Sequence, residues 1–147
     1  MKKLALAAAA IIAVAGPVAA QNTTLRANYG EIRLSAGFTP DPYAVNIQAG
    51  GSRSAPSGCA GSISDAPDFE VTYTAGSLPL IFRTQSGVDT TLVINGPDGR
   101  WYCDDDSGDG TNAYLRFDKP SSGTYDIWVG TYAGGINPAT LYISELN

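Results

Sequence analysis

Five aspartates make up the densest chemistry in this sequence. Asp104, Asp105, Asp106 and Asp109 fall within six residues, interleaved with Ser107, Gly108 and Gly110; Asn112 follows closely and Asp89 lies upstream. Carboxylates crowded into one loop repel each other unless a cation or the solvent offsets their charge. A hard cation that takes about six to eight oxygen ligands does so, and the glycines permit the sharp turns that let backbone carbonyls join the shell. The pattern predicts a calcium (Ca2+) site on Asp89, Asp104, Asp105, Asp106 and Asp109. The alternative is a solvated acidic turn screened by salt. The spacing is not that of an EF-hand loop, because no glutamate stands twelfth from Asp104.

Aromatic side chains form a second candidate site. If Tyr125, Ile127 and Val129 turn inward on a strand, Trp128 turns outward, with Tyr132 on the same face. In the last strand, inward Leu141 and Ile143 leave Tyr142 outward. Exposed Trp and Tyr stack on sugar rings or anchor a partner's apolar side chains, so Trp128, Tyr132 and Tyr142 are the expected ligand-binding residues. The competing reading is that a loop, or the segment from Ala27 to Phe38, covers them as a second small core.

Catalysis has little to draw on. With no histidine, Ser-His-Asp and Cys-His arrangements are impossible, and zinc chemistry loses its usual ligand. Beyond Ala20 the sole lysine is Lys119, between Asp118 and Pro120. Paired carboxylates could hydrolyse glycosides, with Asp106 the residue to test, but an aspartate run on a glycine-bearing turn offers little burial to raise one pKa. The chain is expected not to be an enzyme.

The elements that would position these residues are strands. Phe69, Val71 and Tyr73 alternate with Glu70, Thr72 and Thr74; Ile32 and Leu34 alternate with Glu31, Arg33 and Ser35; Tyr125, Ile127 and Val129 alternate with Thr124, Asp126 and Trp128. Apolar runs at Leu78 to Phe82, Thr91 to Ile94, Tyr114 to Phe117 and Leu141 to Ile143 are bounded by turn residues. About eight or nine short strands predict an all-β chain, an antiparallel β-sandwich of jelly-roll type. Gly96-Pro97-Asp98-Gly99 suits a type I turn. It joins strands whose facing residues have numbers summing to about 195, which sets Cys103 near Leu92 and Asp106 near Asp89. Gly50 to Ser62 reads as an exposed loop carrying Cys59.

Lys2 and Lys3, an apolar run from Leu4 to Ala15, and the small residues up to Ala20 predict a secretory signal peptide over 1–20 and one β-sandwich domain over 21–147. Periplasm or medium is the expected destination, with no membrane insertion. Beyond Ala20, seven basic residues face all fourteen acidic ones, a net charge of −7 that disfavours nucleic acid as a partner. In an oxidising compartment the only two cysteines, Cys59 and Cys103, read first as a disulfide; two free thiols or a metal pair is the alternative.

Ser86-Gly87-Val88-Asp89-Thr90-Thr91-Leu92, Gly96-Pro97-Asp98-Gly99, Cys103-Asp104-Asp105-Asp106 and Ser121-Ser122-Gly123-Thr124-Tyr125-Asp126-Ile127-Trp128-Val129 follow one another in an order and spacing that resembles the bacterial pre-peptidase C-terminal domain family. The resemblance covers roughly Phe69 to Glu145. It implies a jelly-roll sandwich of the kind attached to secreted proteases, some relatives of which bind calcium and collagen-like or polysaccharide targets; Asp89 and the acidic run are the positions this would concern. The expectation is an exported, non-catalytic, calcium-stabilised module, standing alone, that recognises a protein or cell-envelope polysaccharide. A structural partner of a separately encoded secreted protease is the alternative, and a small hydrolase the third.

Overall fold

In the computed structural model, which describes residues 21–146, the period-two stretches become strands of two sheets. In chain order these are β1 (Glu31–Ser35), β2 (Tyr43–Ala49), β3 (Arg53–Ser54), β4 (Ser62–Ile63), β5 (Phe69–Thr74), β6 (Leu80–Gln85), β7 (Thr90–Asn95), β8 (Trp101–Asp104), β9 (Tyr114–Phe117), β10 (Gly123–Thr131) and β11 (Asn137–Ser144). No helix occurs among the described residues, and the proposed leader lies outside them. The fold is an all-β sandwich, as the alternation predicts. Sheet A runs β1-β5-β10-β4-β3, with β7 and β8 added on the other side of β10; sheet B runs β2-β11-β6-β9. One departure from the antiparallel expectation is β1, which pairs parallel to β5.

Alternation places the core. Val71, Tyr125, Ile127, Val129, Leu92 and Ile94 of sheet A meet Leu80, Phe82, Leu141 and Ile143 of sheet B, all buried. Tyr125 and Phe117 pack edge to face at 5.4 Å, and Phe82 and Phe117 at 6.0 Å. β2 carries the same signal, with Tyr43, Val45 and Ile47 facing the core cluster and Ala44, Asn46 and Gln48 exposed.

The β7–β8 hairpin departs from its expected register by one residue. Gly99 N–H donates to the Gly96 carbonyl, as a type I turn requires, but Gly96 N–H pairs with the Arg100 carbonyl, so the loop is Pro97-Asp98-Gly99 with Gly99 at a left-handed φ of 73°. Facing numbers therefore sum to 196: Val93 lies opposite Cys103, and Leu92 opposite Asp104. A one-residue slip exchanges faces. Cys103 thus lands on the outer face with Val93 and Trp128, and Asp104 turns toward β9.

Candidate functional site

Asp104 organises the acidic loop. Its carboxylate accepts the backbone N–H and hydroxyl of Ser107 and, at 2.9 Å, the N–H of Tyr114 at the start of β9. Asn112 is the second tether: its side-chain oxygen accepts Ser86 N–H and the Thr90 hydroxyl, and its amide donates to the Asp109 carbonyl. Asp89 sits across the hairpin with Oδ1 buried and unpartnered. Burial, then the nearby charges of Asp106 and Asp105, push its pKa up. The five aspartates are not drawn into one shell: among the described residues, no three His, Cys, Asp or Glu side chains are placed to hold a metal ion. Asp104 is held by its own loop, and Asp109 stands on the rim of a cleft on the other side.

The aromatic prediction is corrected on one point. Trp128 does occupy the outer face of β10, but it is 0 % exposed. The segment containing β3 and β4 folds over it, and Ile63, Val93, Ala55, Trp101, Cys59 and Cys103 complete a second small core. Trp101 lies 5.4 Å from Trp128, centroid to centroid. The flap is Gly50 to Ser64 rather than the segment from Ala27 to Phe38, and the Cys59–Cys103 disulfide fastens it to β8. Hydrophobic cover was the stronger requirement for a large apolar ring. Tyr132 is 57 % exposed at a loop, whereas Tyr142 belongs to sheet B, so the three aromatics do not share a surface.

Asp68 was not singled out in the sequence, where a polar residue before a strand reads only as turn. The structure gives it a specific place: β10 pairs with β5 as far as Ile127 and with β4 only at Thr131. Between them, the Val129 N–H donates to Asp68 Oδ2 at 2.8 Å and the Val129 carbonyl accepts Gly50 N–H. A carboxylate and a loop amide thus substitute for a missing strand. Asp68 is 1 % exposed, and burial raises its pKa to about 6 against the lowering effect of its hydrogen bonds from Val129, Asn28 and Ser64. The Ser64 hydroxyl lies within reach of both the Ala66 carbonyl and Asp68 Oδ1. Its one proton is shared between these two acceptors.

The outer face of sheet B holds the main concavity. Cross-strand pairing lays Ala44, Tyr142, Arg83 and Tyr114 in one row, and Asn46, Thr140 and Gln85 in the next. The Arg83 guanidinium lies over the Tyr142 ring at 4.2 Å, and the Tyr142 hydroxyl bonds to Gln85. Three hollows follow one another along this side of the molecule, the first two on sheet B and the third beyond its β2 edge, against the Gly50 to Ser64 flap. One of about 680 Å³ runs from Ser107 and Asp109 to Arg83 and Gln85. A second, about 310 Å³, runs from Gln85 across Thr140 to Asn46, Gln48 and Tyr29. The third, about 560 Å³, continues from Tyr29 and Gln48 past Asp65 to Ile136. The first two share Gln85 and the second and third share Tyr29 and Gln48, so the hollows are neighbours along a polar trough. Of the predicted residues, Asp109 borders it, while Tyr142 lies beside it with its ring under the Arg83 guanidinium. Arg83, Gln85, Asn46 and Tyr29 were missed, although Arg83 and Gln85 follow from continuing the alternation of β6.

No family model and no curated protein matches this sequence. Among solved structures, the chain is similar to the pre-peptidase C-terminal domain of the collagenase from Bacillus anthracis, with a TM-score of 0.49 and 13% identity over 84% of this chain and 100% of that one. It is also similar to Aeromonas hydrophila PliG, a periplasmic lysozyme inhibitor of g-type lysozyme, with a TM-score of 0.41 and 14% identity over 78% of this chain and 96% of that one. Neither likeness is close enough to transfer a function.

Proposed function

We propose that this chain is an exported, non-catalytic binding module that holds an extended cell-envelope polysaccharide in the trough on sheet B. The run of neighbouring polar hollows carries the proposal. Its amide side chains, Asn46, Gln48 and Gln85, both donate and accept hydrogen bonds, as vicinal hydroxyls require. Tyr29 adds a ring face against which a sugar can lie. The disulfide supports export, since such bonds persist in oxidising compartments. Against catalysis stands the state of Asp68: it lines the third hollow and its pKa is raised, yet both oxygens are engaged in hydrogen bonds and it is only 1 % exposed.

The test is binding of soluble envelope glycans by calorimetry. Saturable binding that Tyr29→Ala and Gln85→Ala each weaken about tenfold supports the reading; no binding to any glycan overturns it. A second reading, an extended protein segment, is favoured by the exposed edge of β2 at one wall of the trough, where strand addition would supply main-chain hydrogen bonds.

Calcium enters the proposal as a stabiliser of the acidic loop. Asp105 and Asp106 would have to turn onto Asp89, whose charge they already oppose, for an ion to lower the repulsion. Thermal unfolding in calcium and in chelator tests this. A rise in melting temperature with calcium that Asp105→Asn/Asp106→Asn abolishes supports the site, and identical curves retire it.

A further inference from the structure

On the opposite face of the molecule, one ladder row sets three carboxylates side by side. Glu31 of β1 lies directly across from Glu70 of β5, and Glu70 directly across from Asp126 of β10. Side chains so placed are about 5 Å apart at Cβ, where like charges are unfavourable. The ion pairs of the described residues lie elsewhere, at Arg53–Asp65, Arg100–Asp98 and Arg116–Asp118. Asp126 is only 8 % exposed and has no hydrogen-bond or ion-pair partner among the described residues. Its neighbour on the other side, Asn95, turns its amide to the carbonyls of Gly99 and Arg100 instead. Burial, then the charge of Glu70, lifts the Asp126 carboxyl to about 6. Beside the row opens a hollow of about 350 Å³ lined by Glu31, Ile32, Arg33, Glu70 and Thr72.

A largely buried carboxylate facing a second one destabilises the free protein, and a cation brought into the row removes that penalty. An ammonium or guanidinium carried on a side chain supplies that charge together with hydrogen-bond donors for the carboxylate oxygens. We propose that this row receives a lysine or arginine side chain projected by a basic protein partner, with Asp126 as the buried end of the site and Glu31 and Glu70 as its rim. The net charge of −7 beyond Ala20 would steer such a partner toward the molecule. This surface lies on sheet A and is independent of the trough on sheet B.

Tetralysine peptide is the probe, titrated at low salt into the isotope-labelled chain and followed by amide chemical shifts. The largest shifts are expected at 31–33, 70–72 and 126, with binding weakened about fivefold by Glu70→Gln and by Asp126→Asn. Asp118→Asn, which removes one carboxylate from an exposed ion pair elsewhere, is expected to leave the affinity unchanged. Equal weakening by all three variants would mean attraction by net charge alone and would overturn the proposal. So would shifts centred on the Asp104–Asp109 loop, or no saturable binding.

Discussion

Asp68 shows how a single side chain can take the place of a strand. Its carboxylate accepts the Val129 N–H where β10, paired with β7 on one side, has no strand on the other, and burial raises its pKa to about 6 from 3.8. The folded-state value lies above that of the unfolded chain. Between about pH 4 and about pH 6, the native protein therefore keeps a proton that the unfolded chain has lost, and stability falls as pH rises through that window. For this one group the change is on the order of 2 to 3 kcal/mol, and Asp126 titrates in the same direction and range. The melting temperature is thus expected to rise as pH is lowered from 7 to 5, and Asp68→Asn to lose a large part of that rise. A melting temperature that falls over this range, or the same profile in the variant, would contradict the assignment. No local pattern in the sequence marks Asp68, because its role depends on a gap between two strands that are brought together only by the fold.

At the level of elements, period-two alternation found β1 and the strands from β5 onward with their faces, but not β2, nor the two-residue β3 and β4 in the stretch read as an exposed loop, and it was insufficient for what covers those faces. It assigned Trp128 to the outer face of β10 correctly, but exposure there depended on whether a loop of small residues would return over the ring. Gly130 shows how closely the flap approaches: a Cβ at that position would lie 2.3 Å from Thr91 Oγ1 and 2.7 Å from the Ser62 carbonyl oxygen. The turn type was legible too, but not the extra left-handed residue at Gly99 that shifts the register and brings Cys103 beside Trp128. With a separation of 44 residues between its cysteines, the disulfide should contribute about 4 kcal/mol on the chain-entropy model. Its removal should act first on the flap. In Cys59→Ser/Cys103→Ser, tryptophan emission is expected to shift to the red and the melting temperature to fall; emission unchanged at temperatures below unfolding would show that the flap holds by packing alone.

Taken as a whole, the molecule presents two unlike faces, a polar trough on sheet B and an acidic row beside a disulfide-pinned cover on sheet A. Both surfaces arise from cross-strand neighbours, Thr140 beside Gln85 in one case and Glu70 beside Asp126 in the other. Strand order and register are long-range properties, so the alternation of most strands was readable while the company their side chains keep was not. The acidic loop, conspicuous as a run of aspartates, is instead partly a structural corner held by Asp104 and Asn112.

The free side of β2 has a colloidal consequence. Its sequence, Tyr-Ala-Val-Asn-Ile-Gln-Ala, contains no charged side chain and no proline, and sheet edges of that kind are templates for sheet-to-sheet aggregation. Pro138 lies opposite Gln48 and cannot donate, so the Gln48 N–H faces away from β11, where it meets the Tyr29 hydroxyl at 3.0 Å. Among the described residues, that phenol is what stands guard over the edge. Shelf life in concentrated solution therefore hangs on Tyr29 and on the mutual repulsion of acidic molecules, and salt, which screens that repulsion, is the condition under which copies would begin to add along β2.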